Sequence, residues 1–380
     1  MTLTTITSDP TGPDLGLPNE TLAAIFDGLE PAVLADISRV SRRFNAVAER
    51  ILYSYISITD LLSAASPIPA KTLRFCQSLL RRSHLLEIIR RLQIRWILLG
   101  DFRVLSSQAL AQACTEVGIA LRTLSFLEGL DVFLGPANIA ITPSSLRPIH
   151  AIERLVLGCS FPYLIYCSLG CEWTKGVQSY TRILAEFLES VPSLRHLKLS
   201  DHPDGLLLHP HALPSLSYFR GSADTAAILL PGRPVQHLAL VGQDSDVNRL
   251  NLPKMALTSV PLRFLDLSAM SIRPVLLRNI ATQLVAVETL KIRLALRHTL
   301  HYALAGITLL AGLSSVLSDF HHLIRFDLSP TEVDGHRQPN FTEEATLCAM
   351  WLRACPTLKL IVFPSQTEWR LSGNGVWESG

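Results

Sequence analysis

The chain has 380 residues, of which 48% are hydrophobic and 17% are charged. This apolar share exceeds that of disordered chains, so the composition predicts a large buried core, in two or three domains by length. With 34 basic and 32 acidic residues, the near-neutral balance argues against nucleic-acid binding driven by bulk charge.

The first stretch, residues 1–16, has neither a basic start nor an apolar run. We therefore expect a flexible N-terminal tail and no signal peptide. Seven cysteines are scattered along the chain, an odd number outside any small-domain context. They predict reduced, mostly buried thiols, and hence a cytoplasmic and/or nuclear protein.

Three short helices are predicted after this tail. Pro18 and Glu20 suit the first turn of the first helix, where a missing N–H costs nothing and the helix dipole favours a carboxylate. The apolar residues that follow at helical spacing are Leu22, Ile25, Phe26 and Leu29. A second helix is predicted from about Pro31, and a third is capped by Ser41. A unit of about 40 residues is marginal alone, so we expect it to need a partner.

Residues 17–58 resemble an F-box, the helical module that docks onto the Skp adaptor of SCF-type cullin–RING ubiquitin ligases. The matching residues are Leu17-Pro18, Glu20, Leu22, Ile25-Phe26, Ser38 to Phe44, and the closing Ile51 to Ile56. The closing segment is similar to F-box proteins of mushroom-forming fungi. Ser41 stands where the family usually has Cys, and Phe44 where it usually has Trp.

The resemblance implies an adaptor-binding site, whose candidate residues are Leu17, Pro18, Glu20, Leu22, Ile25, Phe26, Val40 and Phe44. The alternative interpretation is an N-terminal three-helix cap that binds no adaptor.

Residues 59–84 are predicted as linker helices. The stretch from Lys71 to Arg95 holds seven basic residues against one acid, Glu87. This pattern favours a solvated basic face over an apolar one. The alternative is a patch for an acidic partner, with the candidates Arg81, Arg82, Arg90 and Arg91.

From residue 85 to residue 363, the chain repeats the pattern apolar-x-x-apolar-x-apolar. The clear copies begin at Ile89, Leu121, Ile152, Leu194, Val235, Leu262, Val287, Leu323 and Leu358, with a weaker copy at Leu213. One short strand plus one helix cannot bury its own apolar face, so the copies must stack.

This arrangement resembles a leucine-rich-repeat array. It departs from the family because the usual Asn or Cys after the last apolar position is replaced by His202, Gln243, Met270 and Ala295. The predicted fold class is α/β: a small three-helix F-box followed by an irregular leucine-rich-repeat-like solenoid, with short parallel strands alternating with helices. A different α/β fold with a parallel sheet is the alternative.

Strand alternation predicts which residues line the open, concave side of the solenoid, because alternate residues face opposite sides. The target-binding candidates are Arg154, His196, Lys198, His237, Phe264, Asp266, Lys291, Arg293, Arg325 and Asp327. They are mixed in sign, so a target with one strongly charged face is not implied.

Two further stretches stand out near the end of the chain. Residues 298–318 contain no charged side chain, and we predict a buried repeat helix there in preference to a membrane span. Residues 364–380 form the predicted C-terminal tail or cap, where Asn374-Gly375 is a strong hairpin-turn signal.

No catalytic motif is present in the sequence. It lacks a phosphate loop, a nucleophile elbow, a Cys-x-x-Cys pair and a His-Glu-x-x-His helix. Cys159, Cys167 and Cys171 lie near one another, but structural thiols are a better account than zinc binding.

We therefore predict a non-enzymatic substrate receptor with no catalytic residue, cofactor or metal. Its expected partners are the Skp adaptor, through it a cullin, and an unknown target protein, with neither nucleic acid nor membrane. The alternative is a repeat scaffold that is not assembled into a ubiquitin ligase, and an enzyme of unknown class is a distant third.

Overall fold

The computed structural model describes residues 16–100, 107–138, 150–172, 182–199, 206–295, 306–332 and 340–380. The predicted N-terminal tail, residues 1–16, lies outside this part of the chain except for Gly16.

Three helices open the described chain, as predicted: α1 (Asn19–Phe26), α2 (Pro31–Ile37) and α3 (Arg42–Ser54). The Ser41 hydroxyl accepts a hydrogen bond from the backbone N–H of Phe44 at 3.1 Å, which caps α3. The first strand begins at Tyr55, so no residue separates it from α3.

A single sheet of 13 strands continues from this helix, with the strands lying side by side in sequence order. The first eleven pair in parallel, and the last two are antiparallel. The strands are β1 (Tyr55–Leu62), β2 (Arg91–Leu98), β3 (Gly129–Phe133), β4 (Tyr166–Gly170), β5 (His196–Leu199), β6 (Tyr218–Gly221), β7 (His237–Leu240), β8 (Phe264–Ile272), β9 (Thr289–Leu294), β10 (Arg325–Asp327), β11 (Leu360–Val362), β12 (Glu368–Leu371) and β13 (Trp377–Ser379).

Helices fill the connections between the parallel strands. They are α4 (Ala70–Arg81), α5 (Ser107–Leu121), α6 (Ala151–Val156), α7 (Arg182–Glu189), α8 (Ala223–Leu229), α9 (Leu252–Met255), α10 (Pro274–Gln283), α11 (Ser314–Leu317) and α12 (Phe341–Ala354). Short 3-10 turns lie at Ser83–Glu87, Gly135–Asn138 and Gly306–Leu313. This alternation of parallel strands and helices confirms the predicted solenoid fold class.

The apolar positions of the repeats form one continuous core, which runs from Leu62 to Trp369. Its largest fully buried side chains include Trp96, Phe219 and Trp351. The three front helices have a small separate core around Leu22. Stacking of the repeats therefore buries the apolar face that a single repeat would leave in solvent.

One charged residue, Asp60, stands in a core-facing position of β1. Its side chain is only 5% exposed. Its carboxylate accepts hydrogen bonds from the backbone N–H groups of Lys71 and Thr72, both at 2.9 Å, and from the Thr72 hydroxyl at 2.7 Å. The Trp96 indole N–H in turn donates to that hydroxyl at 3.1 Å. Asp60 thus fixes the first turn of α4 against the sheet.

Two predicted strands were placed too early in the chain. Leu121 is the last residue of α5, and the strand follows at Gly129; Ile152 lies in α6, and the strand follows at Tyr166. The predicted concave-side residue Arg154 therefore lies on a helix. The error arises because apolar residues three apart suit a helix end as well as a strand entry.

The sheet also begins earlier and ends later than the predicted array. Strand β1 starts inside residues 17–58 and continues into residues 59–84, which were predicted to contain only linker helices. One helix, α4, does lie in that range. At the other end, β12 and β13 form the hairpin predicted around Asn374-Gly375 and extend the sheet beyond residue 363.

The uncharged stretch 298–318 is described only from residue 306 onward. It forms a 3-10 turn followed by α11, in which Val316 and Leu317 are buried against the core. Among the described residues, we find no helix with the length and hydropathy needed to cross a bilayer.

Candidate interaction surfaces at the front helices and on the open sheet face

A pair of aromatic rings holds the front helices together. The ring centroids of Phe26 and Phe44 lie 5.5 Å apart, with their planes at 84°, so α1 packs edge-to-face against α3. Leu34 of α2 and Val47 of α3 complete this small core. Arg43 donates to the Asn19 side chain at 2.9 Å and ties the start of α3 to the start of α1.

Several apolar side chains of these helices remain in solvent. The most exposed are Val40, at 69%, and Ile25, at 53%. We call the exposed set the front surface; it consists of Leu17, Ile25, Leu29, Val33 and Val40. Exposed apolar side chains concentrated on one small unit are typical of an interaction site.

The eight adaptor-binding candidates divide into two groups. Leu17, Pro18, Glu20, Ile25 and Val40 are exposed. Leu22 and Phe26 are buried, and Phe44 is half-buried against Phe26, so these three support the helices and do not line the front surface. The helical spacing could not separate them, because one apolar stripe both faces α3 and borders the solvent.

On the open face, meaning the side of the sheet away from the core, parallel pairing aligns side chains in rows across the strands. The first row is Tyr55, Arg91, Gly129, Tyr166, His196, Tyr218, His237, Phe264, Thr289, Arg325 and Leu360. The second row is Ser57, Gln93, Asp131, Ser168, Lys198, Arg220, Ala239, Asp266, Lys291, Asp327 and Val362. The structure thus brings eight of the ten target-binding candidates into two adjacent rows. Arg293 also lies on β9, and only Arg154 does not lie on the sheet.

Five consecutive members of the first row carry rings, and we call them the aromatic stripe: Tyr166, His196, Tyr218, His237 and Phe264. The His237 and Phe264 rings stack with centroids 4.0 Å apart and planes at 7°. The His196 and Tyr218 rings are 5.7 Å apart. Cross-strand ring pairs of this kind stabilise a sheet and leave their outer edges accessible.

Lys198 lies beside the stripe in the second row. Its ammonium nitrogen is 5.2 Å from the centre of the Tyr166 ring and 5.9 Å from that of Tyr218. These cation–π contacts hold the charge between two rings. Burial, together with Lys198 and Arg195, lowers the pKa of His196, and burial together with His196 lowers the pKa of His237. The lowered pKa values favour the neutral form of both histidines.

The stripe predicts a pH dependence of folding stability. Because His196 and His237 have lower pKa values in the folded chain than their ordinary 6.5, the unfolded chain binds more protons near that pH. The folding stability that depends on neutral His196 and His237 is present above the ordinary pKa of 6.5. It is lost as the pH falls through the lowered pKa values of the folded chain. We expect the variant His196→Gln/His237→Gln to lose less melting temperature than the parent between pH 7.5 and 5.5, as measured by thermal unfolding.

A matched control is His322→Gln, a change at an exposed histidine outside the sheet. It should leave the pH dependence of the parent unchanged. An equal loss of melting temperature in the parent and in the double variant would contradict this assignment.

Ion pairs occupy both ends of the open face. Asp131 accepts hydrogen bonds from Gln93 at 2.9 Å and from Arg95 at 3.2 Å. At the other end, Asp327 lies 3.5 Å from the ammonium of Lys291 and 3.9 Å from the guanidinium of Arg325. Two predicted candidates, Lys291 and Arg325, are therefore both paired with a third, Asp327.

A pocket of about 330 Å³ opens where Gly129 interrupts the first row. Its lining includes Tyr55, Arg91, Asp131 and Tyr166. A Cβ at Gly129 would lie 3.2 Å from Cγ of Arg91, so the missing side chain lets the Arg91 stem cross this strand.

The basic candidates from residues 71–95 lie on different elements. Arg81 ends α4, Arg82 follows it, and Arg91 is on the open face. Arg90 lies 5.3 Å above the Phe126 ring and 3.6 Å from Glu128.

The cysteines are structural. All seven are buried and free, which confirms the predicted burial. Burial raises the pKa of Cys114 and Cys159 to about 12, so these thiols stay protonated and unreactive. Among the described residues, no group of three or more His, Cys, Asp or Glu side chains is arranged to hold a metal ion.

Sequence reasoning missed Tyr166, Tyr218 and Arg220. Tyr166 was missed because the strand of its repeat was placed too early, although the copy beginning at Leu164 has the correct spacing. Tyr218 belongs to the copy that was interpreted as weak, and Arg220 lies just after it.

Comparison with known protein families gives one match. Residues 15–59 match the F-box-like family, and the front of the chain therefore carries an F-box-like domain. This match spans α1 to α3 and the beginning of β1. Together with the solenoid of parallel strands, it defines an F-box-like domain followed by leucine-rich-repeat-like repeats. No curated protein matches the chain.

Solved structures similar to the chain include the leucine-rich repeat-containing protein LegL7 of Legionella pneumophila, with 16% identity, 85% of this chain and 92% of that chain covered, and a TM-score of 0.40. A chain from the yeast complex of Rad7 and Elc1 has 12% identity, coverage of 90% and 87%, and a TM-score of 0.34. An internalin (inlF) of Listeria monocytogenes has 12% identity, coverage of 90% and 87%, and a TM-score of 0.29.

Proposed function

We propose that the protein is the substrate-recognition subunit of an SCF-type cullin–RING E3 ubiquitin ligase. The front surface would bind a Skp adaptor and through it a cullin, while the open face of the repeats would bind a target protein. The observation that carries the proposal is the front surface itself: a unit matched by the F-box-like family leaves Ile25 and Val40 in solvent. Burial of such side chains is the usual driving force for association.

In this function the protein contributes proximity and no chemistry of its own. A receptor that holds a target beside a ubiquitin-conjugating enzyme raises the effective concentration of the target's lysines. The direct passage of α3 into β1 at Ser54 and Tyr55 connects the two binding units without a flexible linker. The cytoplasm or the nucleus, where such ligases would act, is the proposed location.

The test is adaptor binding by the variant Ile25→Glu/Val40→Glu. Burying an apolar side chain of this size at an interface contributes roughly 1.5–3 kcal/mol, and two carboxylates would have to be desolvated instead. We expect affinity for a purified Skp-type adaptor to fall at least ~100-fold, as measured by calorimetry or surface plasmon resonance. Folding should be almost unchanged, because both side chains are exposed.

The matched control is Leu250→Glu/Val275→Glu, which adds the same charge at two exposed apolar residues of the repeats. It should bind the adaptor like the parent. Unchanged adaptor affinity in Ile25→Glu/Val40→Glu would refute the proposal. Adaptor binding without co-purification of a cullin would favour the alternative of a repeat scaffold outside any ligase.

A further inference from the structure

The aromatic stripe and the two cations beside it form a surface whose partner chemistry can be deduced. We propose that this surface binds an extended target segment in which acidic residues are interspersed with apolar ones. The inference rests on the proposed function, because it specifies what the open face would recognise.

The first argument is length. Neighbouring strands lie about 4.8 Å apart, so the five strands of the stripe span roughly 19 Å. An extended peptide advances about 3.3 Å per residue, and about six residues therefore cover the stripe. The rings run across the strands at one level, so apolar side chains of such a peptide can rest on them in succession.

The second argument is charge. Lys198 of β5 and Arg220 of β6 face each other in register. Among the described residues, neither has a carboxylate within 4.0 Å, whereas the cations Arg95, Lys291 and Arg325 each lie within that distance of one. Within the part of the chain that the structure describes, the middle of the open face therefore carries two adjacent positive charges without a paired carboxylate. Acidic side chains of a partner complement them, and Asp266 of β8 limits the acidic stretch on one side.

The third argument is preorganisation. Tyr166 and Tyr218 hold the Lys198 ammonium between their rings, so little side-chain freedom is lost when an anion approaches.

Rings beside cations also suit single-stranded nucleic acid, but this surface favours a peptide. Bases stack on accessible ring faces, whereas His237 and Phe264 are stacked on each other at 4.0 Å. A phosphate backbone carries a charge at every nucleotide, also beside the carboxylates of Asp131, Asp266 and Asp327, whereas a peptide with interspersed acidic residues can place its charges beside Lys198 and Arg220 alone.

The experiment selects random dodecapeptides, displayed on phage, against the full chain. We expect the recovered peptides to combine acidic with apolar residues. Their affinity, measured by fluorescence anisotropy on synthetic copies, should fall tenfold or more in Lys198→Glu/Arg220→Glu. The control Lys254→Glu/Arg353→Glu makes the same charge change at exposed cations on α9 and α12 and should bind like the parent.

Three results would overturn the inference: no enriched peptide, enriched peptides without acidic residues, or equal affinity for Lys198→Glu/Arg220→Glu. Displacement of the peptides by oligodeoxythymidine with higher affinity would instead assign the surface to nucleic acid. Adaptor binding by Lys198→Glu/Arg220→Glu should equal that of the parent. If the parent binds acidic peptides but no adaptor, the proposed function fails and the peptide site stands.

Discussion

Asp60→Ala should lower the free energy of unfolding by about 3–5 kcal/mol, because it removes a buried carboxylate that accepts three hydrogen bonds. Three buried or half-buried donors would lose this acceptor: the N–H groups of Lys71 and Thr72 and the Thr72 hydroxyl. Urea unfolding followed by circular dichroism measures the loss. We expect α4 to loosen first, since its first turn would lose its tie to β1.

The matched control is Asp266→Ala, a change at a strand aspartate of the same sheet. Asp266 is only half-buried and accepts one backbone hydrogen bond, from Ser268 at 2.8 Å. Its replacement should cost about 1 kcal/mol or less. A similar cost for the two variants would show that the Asp60 network does not stabilise the fold.

Glu344→Ala should release the C-terminal hairpin from the last repeat. The Glu344 side chain is fully buried in α12 and accepts hydrogen bonds from the Ser365 hydroxyl at 2.6 Å and from the Trp369 indole N–H at 2.7 Å. Removal of this carboxylate leaves the Trp369 indole N–H without an acceptor in the core and should lower the free energy of unfolding by about 2–4 kcal/mol. Faster hydrogen exchange in β11 and β12 is the expected signature, because an array loses structure from its end.

Glu343→Ala is the control for this change. Glu343 is the neighbouring residue of α12 but is exposed, so its removal should cost only the few tenths of a kcal/mol typical of a first-turn acid. If Glu343→Ala and Glu344→Ala increase exchange in β12 equally, the buried network is not what holds the hairpin.

The strand positions show how far the sequence determines this fold. Strand entries at Leu194, Val235 and Leu262 follow the repeat spacing and were predictable, because the preceding helices end at Glu189, Leu229 and Met255, before these residues. At Leu121 and Ile152 the same spacing occurs at a helix. The true strand entries begin at Leu127 and Leu164, which also fit the pattern, so the spacing alone could not choose between the two copies.

The candidate sites were predictable to the extent that they follow strand alternation. His196, His237 and Phe264 were placed on the open face because alternation needs only a correct strand. Tyr166 was not predicted to lie on the open face, because the strand of its repeat was placed too early in the chain. The buried position of Asp60 could not be predicted from the sequence. Its carboxylate is stabilised in the core by N–H groups of a helix that begins ten residues later, and no local pattern indicates this contact.

The junction at Ser54 and Tyr55 has a mechanical consequence. Since helix and strand meet without an intervening residue, no loop separates the front helices from the first strand of the solenoid. If the protein acts in the proposed ligase, this short junction would restrict the directions in which a bound target can face the ubiquitin-conjugating enzyme, and the choice of modified lysines would depend on their position on the target.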